Sequence, residues 1–325
     1  MPCDTALCVY FDEASYQTSL TKRLQIARIL SSGTQPAMGA DWWTDADTQM
    51  SFVAVECQSF ALRTSELRAE TSKLMTTVQR DPETLELMLE IAGRVQLLDQ
   101  QVASWLVSLP EEYRFKTLCW QELPQHPPLS LPDADVFPGR VDVYPDFIIA
   151  QSWNMARATR LILASLNIRL TAWICSPVDY RTTPEYATSK LICEGIISDA
   201  IASIPYHLGW HTRRKELFDN PELLGFACGL ENSSKILSAH FAAWPLACVH
   251  TNDIATEAQR EWCKGRLHYI ASELGLKYAQ LLADTQVRYP SMMIRQDGLM
   301  PSPDPLSLEV GGGLKVPRSP SRSSP

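Results

Sequence analysis

The chain has 325 residues, 45% hydrophobic and 20% charged, a balance that supports a sizeable buried core and excludes a wholly disordered polymer. Its formal net charge of -8 and pI near 5.3 argue against nucleic-acid binding through a general basic field, because that binding rests on Lys and Arg neutralising phosphate. No run approaches the roughly 20 apolar residues of a membrane span, and no basic segment followed by an apolar run marks a secretory signal.

Residues 1 to 17 are weakly patterned, and the spacing of Leu20, Leu24, Ala27 and Ile29 or Leu30 predicts a short first helix from about Leu20 to Leu30. Asp47 or Thr48 can cap a long helix to about Gln79, with Met50, Val53, Cys57, Phe60, Leu67 and Leu74 near one stripe. Asp81-Pro82-Glu83-Thr84 is a helix start, with an aspartate cap, a proline at the first turn and an acid after it. Apolar residues then recur at three and four as far as Leu109. Between Pro110 and Pro145 the prolines at 124, 127, 128, 132 and 138 forbid regular helix. Val136 to Tyr144 carries enough apolar residues to tie this stretch down, which predicts a packed loop.

Pro145 begins another long helix, to about Trp173, and Thr183-Pro184-Glu185 begins one expected to end before Pro205. Residues 211 to 233 read as a polar loop with short helical turns. Ile236 to His250 is almost uncharged and predicts a helix in the middle of the bundle, kinked or broken at Pro245. A further helix is expected after Asn252-Asp253, closed by Gly275, and a last one from about Leu276 to Arg288, stopped by Pro290. Beyond Pro301 the chain turns to Pro, Ser, Gly and Arg, which cannot bury a core. The predicted fold is all-α: one large multi-helix domain over 1–300 with a proline-rich internal loop at 110–145, and a disordered tail at 301–325.

Chemistry is sparse. Nine cysteines are scattered without a C-x-x-C pair, the pattern of reduced core thiols. His207-x-x-x-His211 has metal-pair spacing, but Pro205 and Gly209 flank it and no glutamate follows His207, so both are expected to be loop histidines. Asp41, Asp45 and Asp47 form an acidic cluster without a second metal motif and read as a solvated loop with a cap. Arg213-Arg214-Lys215 is followed at once by Glu216, Asp219 and Glu222, the pattern of a mixed solvated face. Arg157 and Arg160 are expected to be buried partners for carboxylates such as Asp199. No nucleophile elbow, phosphate loop or dinucleotide glycine pattern is present. No catalytic, cofactor-binding or metal-ligating residue is assigned, and no cofactor is expected.

Four stretches carry a resemblance. They are Trp153-Asn154 with Arg157 and Arg160; Asp199 to Gly209, reading DAIASIPYHLG; Ala243-Trp244-Pro245-Leu246; and Trp262 with Gly265-Arg266-Leu267-His268-Tyr269-Ile270, continued by Gly275 and Ala279. In this order they resemble the middle-to-C-terminal regulatory region of fungal zinc-cluster transcription factors, over most of residues 40 to 290. The six-cysteine DNA-binding pattern of that family is not matched, so direct DNA binding by this chain is not implied. The resemblance implies a nuclear regulator of metabolic or secondary-metabolite genes, acting through protein partners or a small-molecule effector, and leaves homodimerisation open. The rivals are an all-helical biosynthetic enzyme, which needs converging carboxylates or a nucleophile with its base, and a helical scaffold. Trp244 is expected to be a core anchor; the competing expectation is that it lines an effector pocket.

Overall fold

The computed structural model describes residues 52–77, 80–122, 130–213 and 233–299. The expected first helix, the Asp41/Asp45/Asp47 cluster, Arg214-Lys215 and the C-terminal tail lie outside the described residues. The fold is all-α with one small antiparallel hairpin. Its helices are α1 (Phe52–Thr77), α2 (Pro82–Ser108), α3 (Phe147–Cys175), α4 (Pro184–His207), α5 (Ser233–His250), α6 (Glu257–Ser272), α7 (Lys277–Ala283) and α8 (Ser291–Gln296).

The caps explain where the best-defined helices begin. Asp81 Oδ1 accepts from the Thr84 amide at 2.8 Å, and Asp146 Oδ1 accepts from the Ile149 amide at 2.8 Å. Thr183 Oγ1 accepts from the Tyr186 amide ahead of Pro184. The start of α6 corrects the sequence expectation. Asn252-Asp253 is not its cap; Thr256 and Gln259 form a reciprocal capping box instead.

Four further expectations concern proline. The described parts of the 110–145 stretch, 110–122 and 130–145, contain β1 (Lys116–Gln121) and β2 (Gly139–Val143), paired antiparallel with Cys119 opposite Val141. Pro205 lies inside the last turn of α4, which runs on to His207. The helix expected to reach Arg288 ends at Ala283, before Pro290, and a short helix that the sequence reading missed follows Pro290 directly. Pro245 likewise sits within α5, which continues through it to His250 without a break.

The middle of the bundle is α3, where the sequence had suggested α5. Of its 29 residues 21 are buried, and it packs against α1, α2, α4, α5 and α8. Such a helix has no wet face. On one side Met155, Leu163, Leu166 and Leu170 join a core with α1 and α2 around Phe60, Leu62, Met88, Ile91 and Leu98. On the other, Leu161 and Ala164 join a core built from α4 to α7, centred on Ile197, Ile204, Leu246, Trp262 and Leu267.

The proline-rich stretch is fixed on the outside of this second core. Trp262 Nε1 donates to the Ala134 carbonyl at 2.9 Å, Arg266 Nη2 donates to the Pro132 carbonyl at 3.2 Å, and Phe137 meets the Trp262 ring edge-on. Gly265 lies beneath Pro132 so closely that a β-carbon there would come 1.9 Å from the Pro132 carbonyl oxygen. The Trp262, Gly265, Arg266 spacing therefore has a packing reason.

Candidate functional site

Two groups of polar side chains border α3, and they differ in kind. The first is a closed network on its N-terminal half. Arg157 is 3% exposed; its Nη1 donates to the Tyr144 hydroxyl at 2.5 Å and to Asn154 Oδ1 at 3.0 Å. Its Nη2 has no hydrogen-bond acceptor. The rings of Phe115, Trp153 and Tyr144 lie 5.2, 5.4 and 5.8 Å from the guanidinium carbon, a cation–π setting for the buried charge. Nearby, Asp142 on β2 is fully buried and pairs with Arg140 Nε at 2.9 Å, and Arg140 Nη2 reaches Asp199 at 2.5 Å. Burial pushes the Asp142 carboxyl up, against the pull of Arg140 and Arg157.

Asn154 extends this network to α4 and α5. Its Nδ2 donates to Ser203 Oγ at 2.8 Å and lies 3.0 Å from His207 Nε2. An amide nitrogen can only donate, so Nε2 accepts, and the imidazole proton sits on Nδ1, 3.0 Å from Ser238 Oγ. Burial first, and the Arg157 charge next, push His207 down to about 3; burial pushes His211 down to about 4.

These positions correct two expectations. His207 and His211 are not loop histidines: both are buried, at 0% and 1% exposure, at the end of α4 and in the 3-10 turn after it. Arg160 does pair with a carboxylate, forking onto Asp99 at 2.7 and 3.0 Å, but Asp199 is held by Arg140, and Arg157 is held by Tyr144 and Asn154.

The second group borders a cavity of about 260 Å³ between α1, α3, α5 and the segment from Leu282 to Met293. Leu161, Ile162 and Leu166 of α3, with Leu282, Val287 and Met293, make its lining mostly hydrocarbon. Ser165, Thr251 and Thr285 also reach it, and each hydroxyl donates to the carbonyl four residues before it. The wall between α5 and α8 is fastened by backbone. Tyr289 N donates to the Thr251 carbonyl at 2.8 Å, and Asp253 N donates to the Tyr289 carbonyl at 2.7 Å.

Two guanidiniums reach this cavity. Arg169 is forked onto Asp297 at 2.6 and 2.8 Å and also donates to Ser72, tying α3 to α8 and α1. Arg68 lies over the Tyr289 ring at 5.6 Å. Burial lowers the Arg68 guanidinium pKa; the Tyr289 contact raises it, and the like charge of Arg169 lowers it. Cys248, also in the lining, is pushed up to about 12 by burial and stays a thiol at neutral pH.

Trp244 belongs here. It is half-buried, packs on the edge of the α1–α2 core and lines the cavity, and its indole Nε1 has no acceptor. Trp244 thus takes part in both expected settings, packed on the core and lining the cavity. Sequence reasoning missed Arg68, Arg169, Cys248 and Tyr289 as cavity residues, because they converge from four separated segments. The available signal was Arg169, a charge within a helix too apolar to have a wet face.

The chain is similar to a protein named transcription factor dbaG from Emericella nidulans, 26% identical over 156 residues, which cover 47% of this chain and 34% of that protein. The match therefore spans about a third of that relative's length. No family model and no solved structure matches the chain.

Proposed function

We propose that this chain is a regulatory region of a transcription regulator of the zinc-cluster kind, acting in the nucleus on metabolic or secondary-metabolite genes. A small-molecule effector bound in the Trp244 cavity is its means of control, and catalysis is not. The likeness to a protein named as a transcription factor supports the regulatory part. The cavity supports the effector part: it is bounded by α1, α3 and α5, so an occupant contacts elements of both cores at once. No carboxylate or imidazole is among its described lining residues, and its thiol is held protonated, so it offers an acid–base reaction little.

The full chain fused to an unrelated DNA-binding domain should change reporter transcription severalfold relative to that domain alone. Ala247→Phe fills the cavity from α5 and should shift this output at equal protein level. Output equal to the bare DNA-binding domain would overturn the regulator reading. Output indifferent to the filled cavity would overturn the effector part.

A further inference from the structure

The polar side chains on the cavity lining bond within the protein. The hydroxyls of Ser165, Thr251 and Thr285 donate to backbone carbonyls. Ser165 Oγ also accepts from Asn252 Nδ2 at 3.3 Å, and Asn252 Oδ1 accepts from the Ile254 amide at 2.9 Å. Arg169 brings its own counter-charge: Nε and Nη2 donate to Asp297, and Nη1 donates to Ser72. Arg68 is hydrogen-bonded to the Tyr289 side chain, and the Cys248 thiol stays neutral. A charged ligand group would leave water for a lining whose polar groups already bond one another, and burial of a charge is costly unless it gains a partner. A carboxylate could take Arg169 only by displacing Asp297 from a two-bond fork. A hydrocarbon body meets no such cost. It gains Leu161, Ile162, Leu166, Val287 and Met293 as apolar neighbours.

We propose, resting on the effector reading above, that this cavity selects an uncharged, largely hydrocarbon molecule and rejects the carboxylic acid of the same body. An apolar cavity of about 150 Å³ holds one benzene ring, so the 260 Å³ here has room for a body of about two fused rings. That body lies against Leu161, Ile162 and Leu166 of α3 and reaches Val287 and Met293, with the Trp244 indole as an aromatic wall. The selectivity comes from what the lining withholds: hydrocarbon surface for the body, and no uncommitted ion pair for a charge.

The probes are naphthalene and 2-naphthoate, which share one body and differ in the carboxylate. Each is titrated against the full chain at neutral pH by its own fluorescence, with thermal unfolding as a second readout. Naphthalene should bind about tenfold tighter or more, and it should raise the melting temperature where naphthoate at the same concentration does not. Naphthoate binding as tightly as naphthalene would overturn the proposal, as would no binding of naphthalene up to its solubility limit. Ala247→Phe fills the cavity and should weaken naphthalene binding about tenfold or more; undiminished binding by this variant would overturn the placement. The wild-type ratio needs no variant to fold. Equal binding of the two probes together with a reporter response to Ala247→Phe would sink the preference for a neutral ligand and leave the effector reading intact. A tenfold preference for naphthalene with an indifferent reporter would do the reverse.

Discussion

The two halves of α3 are equally deep and differently built. From Ile149 to Arg160 the helix meets side chains that bond one another: Asn154 bridges Arg157, Ser203 and His207, and Arg160 forks onto Asp99. From Leu161 to Trp173 it meets a cavity, with hydrocarbon at one end and guanidinium at the other. A buried network of this kind fixes how α3, α4, α5 and the hairpin sit together, since a shift of any one leaves polar groups without partners. A cavity forgoes packing and leaves room for something else. Burial alone therefore does not separate a structural polar cluster from a site; the difference is whether there is space beside the polar groups.

Breaking the network should cost the most. Arg157→Met removes two hydrogen bonds and leaves the buried Asp142 carboxylate with less positive charge near it. Loss of one member of a buried charged set typically costs about 3–5 kcal/mol. Urea unfolding of this variant should show a drop of that order, and one under about 1 kcal/mol would mean the network is not what holds α3.

Acid should act on the same half. His207 is pushed from 6.5 down to about 3 and His211 down to about 4, so between pH 6.5 and these values the unfolded chain binds protons that the folded chain does not. Their stabilisation is therefore complete above pH 6.5 and is lost as the pH falls below it. From pH 7 to pH 5 a single such histidine accounts for about 2 kcal/mol. His207→Gln should flatten the wild-type slope by about that amount. Asp142, pushed up by burial, contributes with the opposite sign and cancels in the comparison of the two proteins. Parallel slopes would show that His207 is not kept neutral by the fold.

How much of this was legible depends on whether the signal was local. The starts at Asp81-Pro82 and Thr183-Pro184 could be read because cap and helix lie in one turn. The hairpin was missed because its strands are separated by a proline-rich stretch, and pairing Cys119 with Val141 is a non-local event. The cavity was missed for the same reason. Gly265 shows a local residue whose meaning is non-local. In an exposed helix interior, glycine to alanine gains about 1 kcal/mol of helix propensity. At Gly265 the added carbon meets the Pro132 carbonyl, so overpacking of about 1–3 kcal/mol should reverse the sign. Gly93, in α2 with open space around it, is the control: Gly93→Ala should stabilise. Two changes of the same sign would dissolve the claim that the proline-rich stretch seals the second core.

The smallest effect on stability should come from the cavity side, at Trp244. Its indole fills space against the α1–α2 core, yet its N–H is out of contact with water and has no acceptor. An unsatisfied buried donor typically costs about 1–3 kcal/mol, which Trp244→Phe would relieve. The same change removes part of a large ring and with it packing worth a similar amount. The two terms oppose each other, so the net change should fall within about 1 kcal/mol, in contrast to the Arg157 loss. Urea unfolding of this variant measures that change. A large loss of stability would mean the indole N–H is satisfied in solution and Trp244 is an anchor after all, erasing the contrast between the two halves of α3.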